Sequence, residues 1–213
     1  MHHATTTEPL QPQNHTQFWP RLGGWLFVRR SWLPVPLVVA LLAAPPQRSI
    51  SYLLPAGLVL VVAGEALRLW GVHHIGAISR TRADRLGPLI ATGPFRHVRN
   101  PLYLGNIGLW LGFALCARTL WLAPVIGALL ALEYHAIVSW EEQLLESRLG
   151  ERYRDYTRRV PRWLPSLTSN AGAPIPSVGE PFSWRATLFS ERGTLLAIAV
   201  GYALLSLKSR WLA

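Results

Sequence analysis

Cysteine is almost absent from this sequence. Cys116 is the single cysteine among 213 residues. One thiol cannot form an internal disulfide, and it cannot supply the several thiolates that a structural zinc site takes. Disulfide stapling and a cysteine-based metal centre are therefore excluded.

Charged residues are also scarce. They make up 15% of the chain, 50% of which is hydrophobic, and the mean hydropathy is +0.22. This composition is typical of a membrane protein rather than of a soluble domain. The formal net charge is +10, and Lys208 is the only lysine beside the arginines. A nucleic-acid-binding protein has a similar balance, but here the arginines flank apolar segments, which predicts contact with anionic lipid headgroups and no nucleic-acid partner.

Two common sequence signals are missing. The chain does not start with the basic residues, apolar core and small-residue cleavage site of a secretory signal peptide. Residues 1–20 are instead polar and proline-containing, and we expect a disordered or surface-lying tail. No Gly-x-Gly-x-x-Gly motif follows a strand, so a dinucleotide-binding Rossmann domain is not predicted.

Five apolar runs predict an all-α, polytopic membrane protein with about five transmembrane helices. A helix that rises about 1.5 Å per residue needs roughly 20 residues to cross a bilayer. The first run is shorter and contains two prolines, so we expect residues 25–28 to extend it. Only two residues join the third and fourth runs, which must form an antiparallel hairpin. The runs cover residues 31–44, 50–72, 102–117, 120–140 and 188–207.

The polar segments divide the chain. Residues 141–160 have helical periodicity and predict a helix that leaves the membrane or lies on its surface. Residues 166–187 have the proline and glycine content of a linker. This linker separates a predicted membrane-embedded domain, residues 21–165, from a C-terminal transmembrane helix, residues 188–213.

Charge asymmetry orients the predicted spans. The arginine-rich segments 73–100 and 148–162 are separated by two crossings and therefore share a face of the membrane. Because cytoplasmic loops carry an excess of arginine, this face is predicted to be cytoplasmic, in an inner or plasma membrane. Lys208 and Arg210 then end on the outer side, against the same tendency.

The segment 87–105, GPLIATGPFRHVRNPLYLG, carries the first signal of function. Its Thr-Gly-Pro triplet predicts a turn. Asn100 followed by Pro101 predicts a helix start, because asparagine caps helix N-termini and proline is favoured at the first helical position. A helix N-terminus with Arg99 beside it predicts a site for a small anion. The alternative is the ordinary cytoplasmic end of a transmembrane helix. Three glycines on one face of this helix leave room for a ligand or for another helix: Gly105, Gly108 and Gly112.

Two acidic residues face this helix start. Glu141 and Glu142 end the fourth run at the membrane depth at which Arg99 and Asn100 begin the third. A carboxylate pair and a basic, amide-rich helix start therefore face one volume, which suits a zwitterionic ligand. The alternative is that the two glutamates pair with neighbouring arginines.

Two other polar pairs have simpler interpretations. Glu65 and Arg68 lie three residues apart near the end of the second run and are predicted to pair, either at the membrane interface or in a functional role. His73 and His74 suggest a metal site, but adjacent side chains on a helix point about 100° apart. Because no carboxylate lies at ligand spacing, no metal site is predicted.

The order of the two motifs, TGPFRHVRNPLYLG and then EEQLLESRLGERYRDYTRRVPRWLP, resembles the isoprenylcysteine carboxyl methyltransferase family and the related phospholipid methyltransferases. The resemblance covers residues 80–165. It implies a multispan helical enzyme that binds S-adenosylmethionine at the cytoplasmic membrane surface. It also implies methyl transfer to a lipophilic acceptor, with a carboxylate, a thiol or an amine as the receiving group.

The resemblance implies the site residues as well. It implies that Leu89, Ile90 and Phe95 line the adenosine end of the cofactor. It also implies that Glu141 binds the ammonium group of the cofactor. Arg96 and Arg99 are candidate catalytic residues that orient an acidic acceptor. The complete cofactor-binding set is Gly87, Pro88, Leu89, Ile90, Phe95, Asn100, Pro101, Leu102, Tyr103, Gly105, Glu141 and Glu142.

The sequence departs from the family pattern at two positions. Asn100 stands where the family usually has histidine, and because an amide does not titrate near neutrality no general base is assigned. Ile137 replaces the arginine that recognises the prenylcysteine carboxylate, and an apolar side chain cannot bind a carboxylate. Two other classes stay open: a nicotinamide-dependent intramembrane reductase of the sterol-reductase type, to which the Arg-x-Pro-x-Tyr segment is also similar, and a non-catalytic membrane adaptor.

Overall fold

The computed structural model describes residues 18–47, 51–76, 89–166 and 183–211, and every regular element in these ranges is helical. The predicted all-α class is confirmed. The elements are α1 (Phe18–Arg29), α2 (Pro34–Ala43), α3 (Leu53–Ile75), a 3₁₀ turn (Gly93–Arg96), α4 (Pro101–Cys116), α5 (Ala123–Leu149), α6 (Glu151–Arg159) and α7 (Trp184–Trp211).

The helices make this a multi-pass membrane protein. By length and composition α3, α5 and α7 can each cross a membrane, and α1 and α2 add a fourth span if the bent pair counts as one. α4 has 16 residues, which reach about 24 Å at 1.5 Å per residue, less than the roughly 30 Å of a hydrocarbon core. The predicted number of five spans therefore stays a prediction.

The first span is broken. We predicted that residues 25–28 extend the apolar run that follows them, but α1 ends at Arg29 and α2 runs at 72° to it. Pro34 and Pro36 lie in the first turn of α2. Because proline has no amide hydrogen and clashes with the preceding turn, a continuous helix through this region would lose backbone hydrogen bonds.

Three predicted segments differ from the helices of the structure. α1 begins at Phe18, inside the predicted tail, of which residues 1–17 lie outside the described residues. α7 begins inside the predicted linker, of which residues 167–182 lie outside them. The single helix predicted over 141–160 is wrong, because Gly150 has φ +54° and separates α5 from α6. Glycine adopts this backbone conformation without steric cost.

Glycines bring α3 and α4 into close contact. A Cβ added to Gly105 would lie 2.7 Å from the carbonyl oxygen of Gly64, and one added to Gly112 would lie 2.7 Å from that of Gly57. Small residues at such positions allow two membrane helices to pack backbone against backbone. Of the two interpretations of the glycine face, helix packing is the one that the structure supports at Gly105 and Gly112.

α7 is attached to the other helices by polar contacts. Near its start, Glu191 forms an ion pair with Arg68 of α3, with 2.5 Å between carboxylate oxygen and guanidinium nitrogen. Near its end, Lys208 donates hydrogen bonds to the carbonyl oxygens of Leu41 and Ala44, each at 2.6 Å. These carbonyls lie at the end of α2, where the helix leaves its last acceptors unpaired.

Candidate functional site

A tight turn begins the site. Thr92 precedes the 3₁₀ turn, and its hydroxyl lies 3.1 Å from Nδ1 of His74 on α3. Gly93 has φ +57°, and a Cβ there would overlap the ring of His74. Only glycine combines this conformation with this contact. The turn places Phe95 and Val98 in the interior, with 7% and 2% of their surface exposed.

The turn is fixed to the chain that follows α6. The backbone amide of Arg99 donates to the carbonyl oxygen of Pro161 at 2.9 Å. The hydroxyl of Tyr156 donates to the carbonyl oxygen of Phe95 at 2.8 Å. Burial raises the pKa of this phenol well above its usual range, so it stays protonated and able to donate. The two sequence motifs are thus joined by direct hydrogen bonds.

Two side chains complete this connection. Nδ1 of His97 lies 2.9 Å from the carbonyl oxygen of Ser166, and the amide of Ser166 donates back to the carbonyl oxygen of His97 at 2.9 Å. Since a carbonyl only accepts, Nδ1 carries the hydrogen. Asn100 donates through its amide nitrogen to the carbonyl oxygen of Arg162 at 3.1 Å.

α4 begins at Pro101, as predicted, but Asn100 does not cap it. Its side chain makes no capping hydrogen bond, because the amide is turned toward the segment after α6. The Asn100 side chain therefore leaves the amide hydrogens of the first turn of α4 uncapped, and a helix N-terminus of this kind attracts anions.

Glu142 is bound by two arginines. Its Oε1 lies 3.0 Å from Nη1 of Arg99, and Arg162 contacts both carboxylate oxygens. Nε of Arg99 is buried and has no hydrogen-bond partner. For Glu142, the interpretation that it pairs with neighbouring arginines is the one that the geometry supports.

Glu141 has different surroundings. The hydroxyl of Tyr103 donates to its Oε1 at 3.0 Å, and the ring of Tyr103 packs on that of Tyr134 with 4.7 Å between centroids. No ion pair to Glu141 occurs in the part of the chain that the structure describes. Its carboxyl group is therefore still available to a cationic group.

Both glutamates and the turn line one cavity of about 630 Å³. Pockets for small molecules and cofactors usually hold 300–1,000 Å³. The predicted cofactor residues and the predicted catalytic residue that line it are Leu89, Ile90, Phe95, Arg99, Asn100, Pro101, Leu102, Tyr103, Glu141 and Glu142.

Four predicted residues are not among those that line the cavity. Gly87 and Pro88 lie outside the described residues. Gly105 lies at the contact between α3 and α4 instead. Arg96 is exposed on the 3₁₀ turn.

A second polar cluster lines the same cavity, and we did not predict it as a site. Arg68 of α3 donates to Oδ1 of Asn106 at 2.5 Å. It also contacts Glu191 at 2.5 Å and the hydroxyl of Thr194 at 3.1 Å, both on α7. The predicted pair with Glu65 is present at 3.4 Å. The only sequence signal was this pair, because the α7 partners follow a long polar segment.

The described residues contain no group of three or more histidine, cysteine, aspartate or glutamate side chains placed to hold a metal ion. His73 instead stacks on Trp184 of α7, with 4.2 Å between ring centroids. Its neighbour His74 contacts the 3₁₀ turn. The adjacent histidines thus contact two different elements, α7 and the 3₁₀ turn.

Comparison with known proteins gives partial matches. Residues 53–152 match the profile of a family described as phospholipid methyltransferase. The nickel-cobalt-cadmium resistance protein NccN of Alcaligenes xylosoxydans xylosoxydans is 31% identical over 116 residues, which are 54% of this chain and 51% of that protein. The cobalt-zinc-cadmium resistance protein CzcN of Cupriavidus metallidurans is 29% identical over 120 residues, 56% of this chain and 52% of that one.

The rat protein-S-isoprenylcysteine O-methyltransferase is 28% identical over 131 residues, which are 58% of this chain and 45% of that enzyme. The chain thus spans about half the length of the curated relatives it matches. No solved structure matches it. The resemblance drawn from the two motifs is confirmed.

Proposed function

Because residues 53–152 belong to the phospholipid methyltransferase family, we propose that this membrane protein transfers the methyl group of S-adenosylmethionine to a lipophilic acceptor. The observation that carries the proposal is the composition of one cavity. Glu141, the start of α4 and the apolar side chains of the 89–95 segment all line it. These are the groups that an ammonium, a carboxylate and a nucleobase require.

The residues of the cavity fit the proposed cofactor. The open amide hydrogens at the start of α4 and the unpartnered Nε of Arg99 suit the carboxylate of an amino acid. Glu141, whose described partner is a neutral phenol, suits the ammonium group. Leu89, Ile90 and Phe95 offer apolar contact to the adenosine end.

In the proposed mechanism the protein positions and encloses the reactants. S-adenosylmethionine supplies the methyl group as part of a sulfonium, which needs in-line approach of a nucleophile more than it needs proton transfer. Holding both ends of an extended ligand restricts its orientation, and this is a large contribution to rate. The buried phenols of Tyr153 and Tyr156 and the apolar walls exclude water. The absence of a histidine at Asn100 is compatible with this division of roles.

The acceptor enters from the bilayer in our proposal, and the cofactor end of the cavity lies on the cytoplasmic face. Helix α5 offers no basic side chain at position 137 to bind a carboxylate of the acceptor, because Ile137 is apolar and 1% exposed. An isoprenylcysteine-like acid is therefore disfavoured relative to other lipophilic acceptors. The role of Arg96 in orienting an acceptor stays a prediction.

Binding of labelled cofactors tests the proposal. Purified full-length protein in detergent is incubated with radiolabelled S-adenosylmethionine and, separately, with labelled NADPH. We expect saturable binding of S-adenosylmethionine and none of NADPH. Binding of NADPH alone would identify a nicotinamide-dependent reductase, and binding of neither would support a non-catalytic adaptor. Incubation with a membrane lipid extract, followed by mass spectrometry of the labelled product, then identifies the acceptor.

A further inference from the structure

A second, smaller cleft lies outside the cavity described above. It has a volume of about 370 Å³ and lies between the first turns of α1 and the middle of α5. Trp140 is the only described residue that lines both spaces. The α1 side of the cleft precedes residue 53, where the match to the family profile begins. The residues that line the cleft are Pro20, Arg21, Gly24, Trp25, Trp140 and Gln143.

Two adjacent glycines hold α1 against α5. A Cβ added to Gly23 would overlap the carbonyl oxygen of Ala136, and one added to Gly24 would lie 3.1 Å from Nε1 of Trp140. Small residues at such positions let two helices approach closely in a membrane. The cleft is therefore formed by a closely packed pair of helices, with the indole of Trp140 beside Gly24.

The polar groups of the cleft are cationic or neutral. Arg21 supplies a guanidinium and Gln143 an amide, and the indole nitrogens of Trp25 and Trp140 can only donate. None of the described residues that line the cleft is acidic. Arg29 adds a second positive charge beside it, since its guanidinium carbon lies 4.2 Å from the ring centroid of Trp25. A site with this composition favours an anion.

The surroundings of the cleft indicate the source of the anion. The apolar run of α5 ends at Trp140, and two glutamates follow it. Tryptophan and arginine are typical of this level, where the hydrocarbon core meets the lipid headgroups. Trp25 and Val28 follow Arg21 at intervals of four and three residues, which places them on one side of α1. They are 52% and 76% exposed and offer contact to acyl chains.

We propose that this cleft binds the phosphate headgroup of an anionic membrane phospholipid, with Arg21 as the partner of the phosphate. A phosphatidylcholine headgroup fits less well, because its cation would lie beside Arg21 and Arg29 without an acid among the described lining residues to bind it. The bound lipid stays outside the reacting cavity and is not the methyl acceptor. The inference thus goes beyond the proposed function and does not depend on it.

Two lipids with the same acyl chains test the site. Full-length protein in detergent is incubated with equal concentrations of dioleoylphosphatidylglycerol and dioleoylphosphatidylcholine, and bound lipid is measured by native mass spectrometry. We expect about fivefold more phosphatidylglycerol to be bound, which is the effect of one arginine near an anionic headgroup. Equal binding of the two lipids would overturn the proposal. Displacement of phosphatidylglycerol by an excess of inorganic phosphate would also overturn it, because the ligand would then be a free anion.

Variants of the two helices locate the effect. Arg21→Gln removes the positive charge and Gln143→Glu adds a negative one, so each should abolish the preference for phosphatidylglycerol. Both side chains are exposed, and neither substitution disturbs the interior. Arg192→Gln is the matched control, because Arg192 is an exposed arginine that packs on an aromatic ring, that of Phe189, on α7. A preference that survives in either cleft variant, or that is lost equally in Arg192→Gln, would contradict the site.

A further variant separates this site from the proposed cofactor site. Glu141→Gln, which changes the main cavity, should keep the preference for phosphatidylglycerol. Loss of the preference in that variant would place the lipid in the main cavity and overturn the proposal. If the wild-type protein prefers phosphatidylglycerol but does not bind S-adenosylmethionine, the methyltransferase proposal is wrong and the lipid site stands.

Discussion

Glu141 and Glu142 are neighbours in the sequence but have different partners. Glu142 is held by Arg99 and Arg162, so its charge is neutralised and its role is to fix the segment after α6 against the turn. Glu141 receives a hydrogen bond from the neutral Tyr103. Breaking a buried ion pair on one side leaves an uncompensated charge, so the two residues should respond differently to the same substitution.

Substitution of Glu141 tests the ammonium site. Glu141→Gln removes the negative charge but keeps an acceptor for Tyr103, and we expect S-adenosylmethionine to bind at least tenfold more weakly because a charge-assisted contact is lost. Equilibrium binding of the labelled cofactor measures the effect. Glu146→Gln, on the exposed part of the same helix, should bind as the wild type does. An equal loss in both variants would contradict the assignment.

Some of the site could be predicted from residues alone, and some could not. Asn100 and Pro101 mark the start of α4 because the preferences for a helix start are local. The actual partner of Asn100 lies 62 positions away, and no local rule specifies it. The ion pair between Arg68 and Glu191 spans 123 positions, so only Glu65, three residues from Arg68, could be predicted as its partner.

At the scale of elements, the glycine pairs of α3 and α4 set how closely these helices approach. We expect Gly112→Ala to destabilise the protein by about 1–3 kcal/mol, because the new Cβ would lie 2.7 Å from the carbonyl oxygen of Gly57 and the helices must separate. Unfolding in increasing denaturing detergent measures the change. Gly127→Ala is the control, since its Cβ meets the nearest atom, on Leu111, at 3.6 Å; equal destabilisation of both would contradict the packing argument.

Glu191 of α7 should lower the affinity of the cavity for anionic ligands, because it forms an ion pair with Arg68. Glu191→Gln removes one of the two carboxylates that hold Arg68. Because the guanidinium is then under-compensated, we expect octanoate to bind several-fold more tightly than it binds to the wild type. Calorimetric titration measures this change. Glu146→Gln, on the exposed part of α5, should leave octanoate binding unchanged, and an unchanged affinity in Glu191→Gln would contradict the role given to Glu191.

The predicted elements agree with the structure where an apolar run is long. They differ from it where prolines or a glycine interrupt a helix. The apolar runs behind α3, α5 and α7 are long enough to be recognised by hydropathy alone. The break at Gly150 comes from a positive φ, which glycine adopts locally. The bend between α1 and α2 depends on how neighbouring helices accommodate two prolines. Such accommodation is a tertiary property, and pattern analysis of a single segment does not contain it.

At the scale of the whole molecule, orientation is the prediction that can be tested most directly. The arginine-rich segments predict that α6 faces the cytoplasm and that the connection between α4 and α5 faces outward. In a Cys116→Ser background, we expect Arg158→Cys, exposed on α6, to react with a membrane-impermeant maleimide only from the cytoplasmic side. Trp121→Cys, half exposed in the connection, should react only from the outside. The reverse pattern would place the cavity's charged end on the other face.

The cavity is assembled from the whole described chain rather than from one motif. Side chains from α1 through α7 line it, and the family profile covers only residues 53–152. The part that matches the profile therefore supplies Glu141 and the start of α4, while Glu191 and Thr194 come from outside it.

The hydrogen bonds that tie the 3₁₀ turn to the segment after α6 also set the order of events during biosynthesis. The hydroxyl that holds Phe95 is on a residue translated 61 positions later, and the partner of His97 follows 69 positions after it. When α3, α4 and α5 have been made, the turn can contact His74 of α3 but still lacks its partners after α5. We therefore expect a chain that terminates after α5 to lack a complete pocket, because Tyr153 and Tyr156 of α6 and Glu191 of α7 also line the cavity.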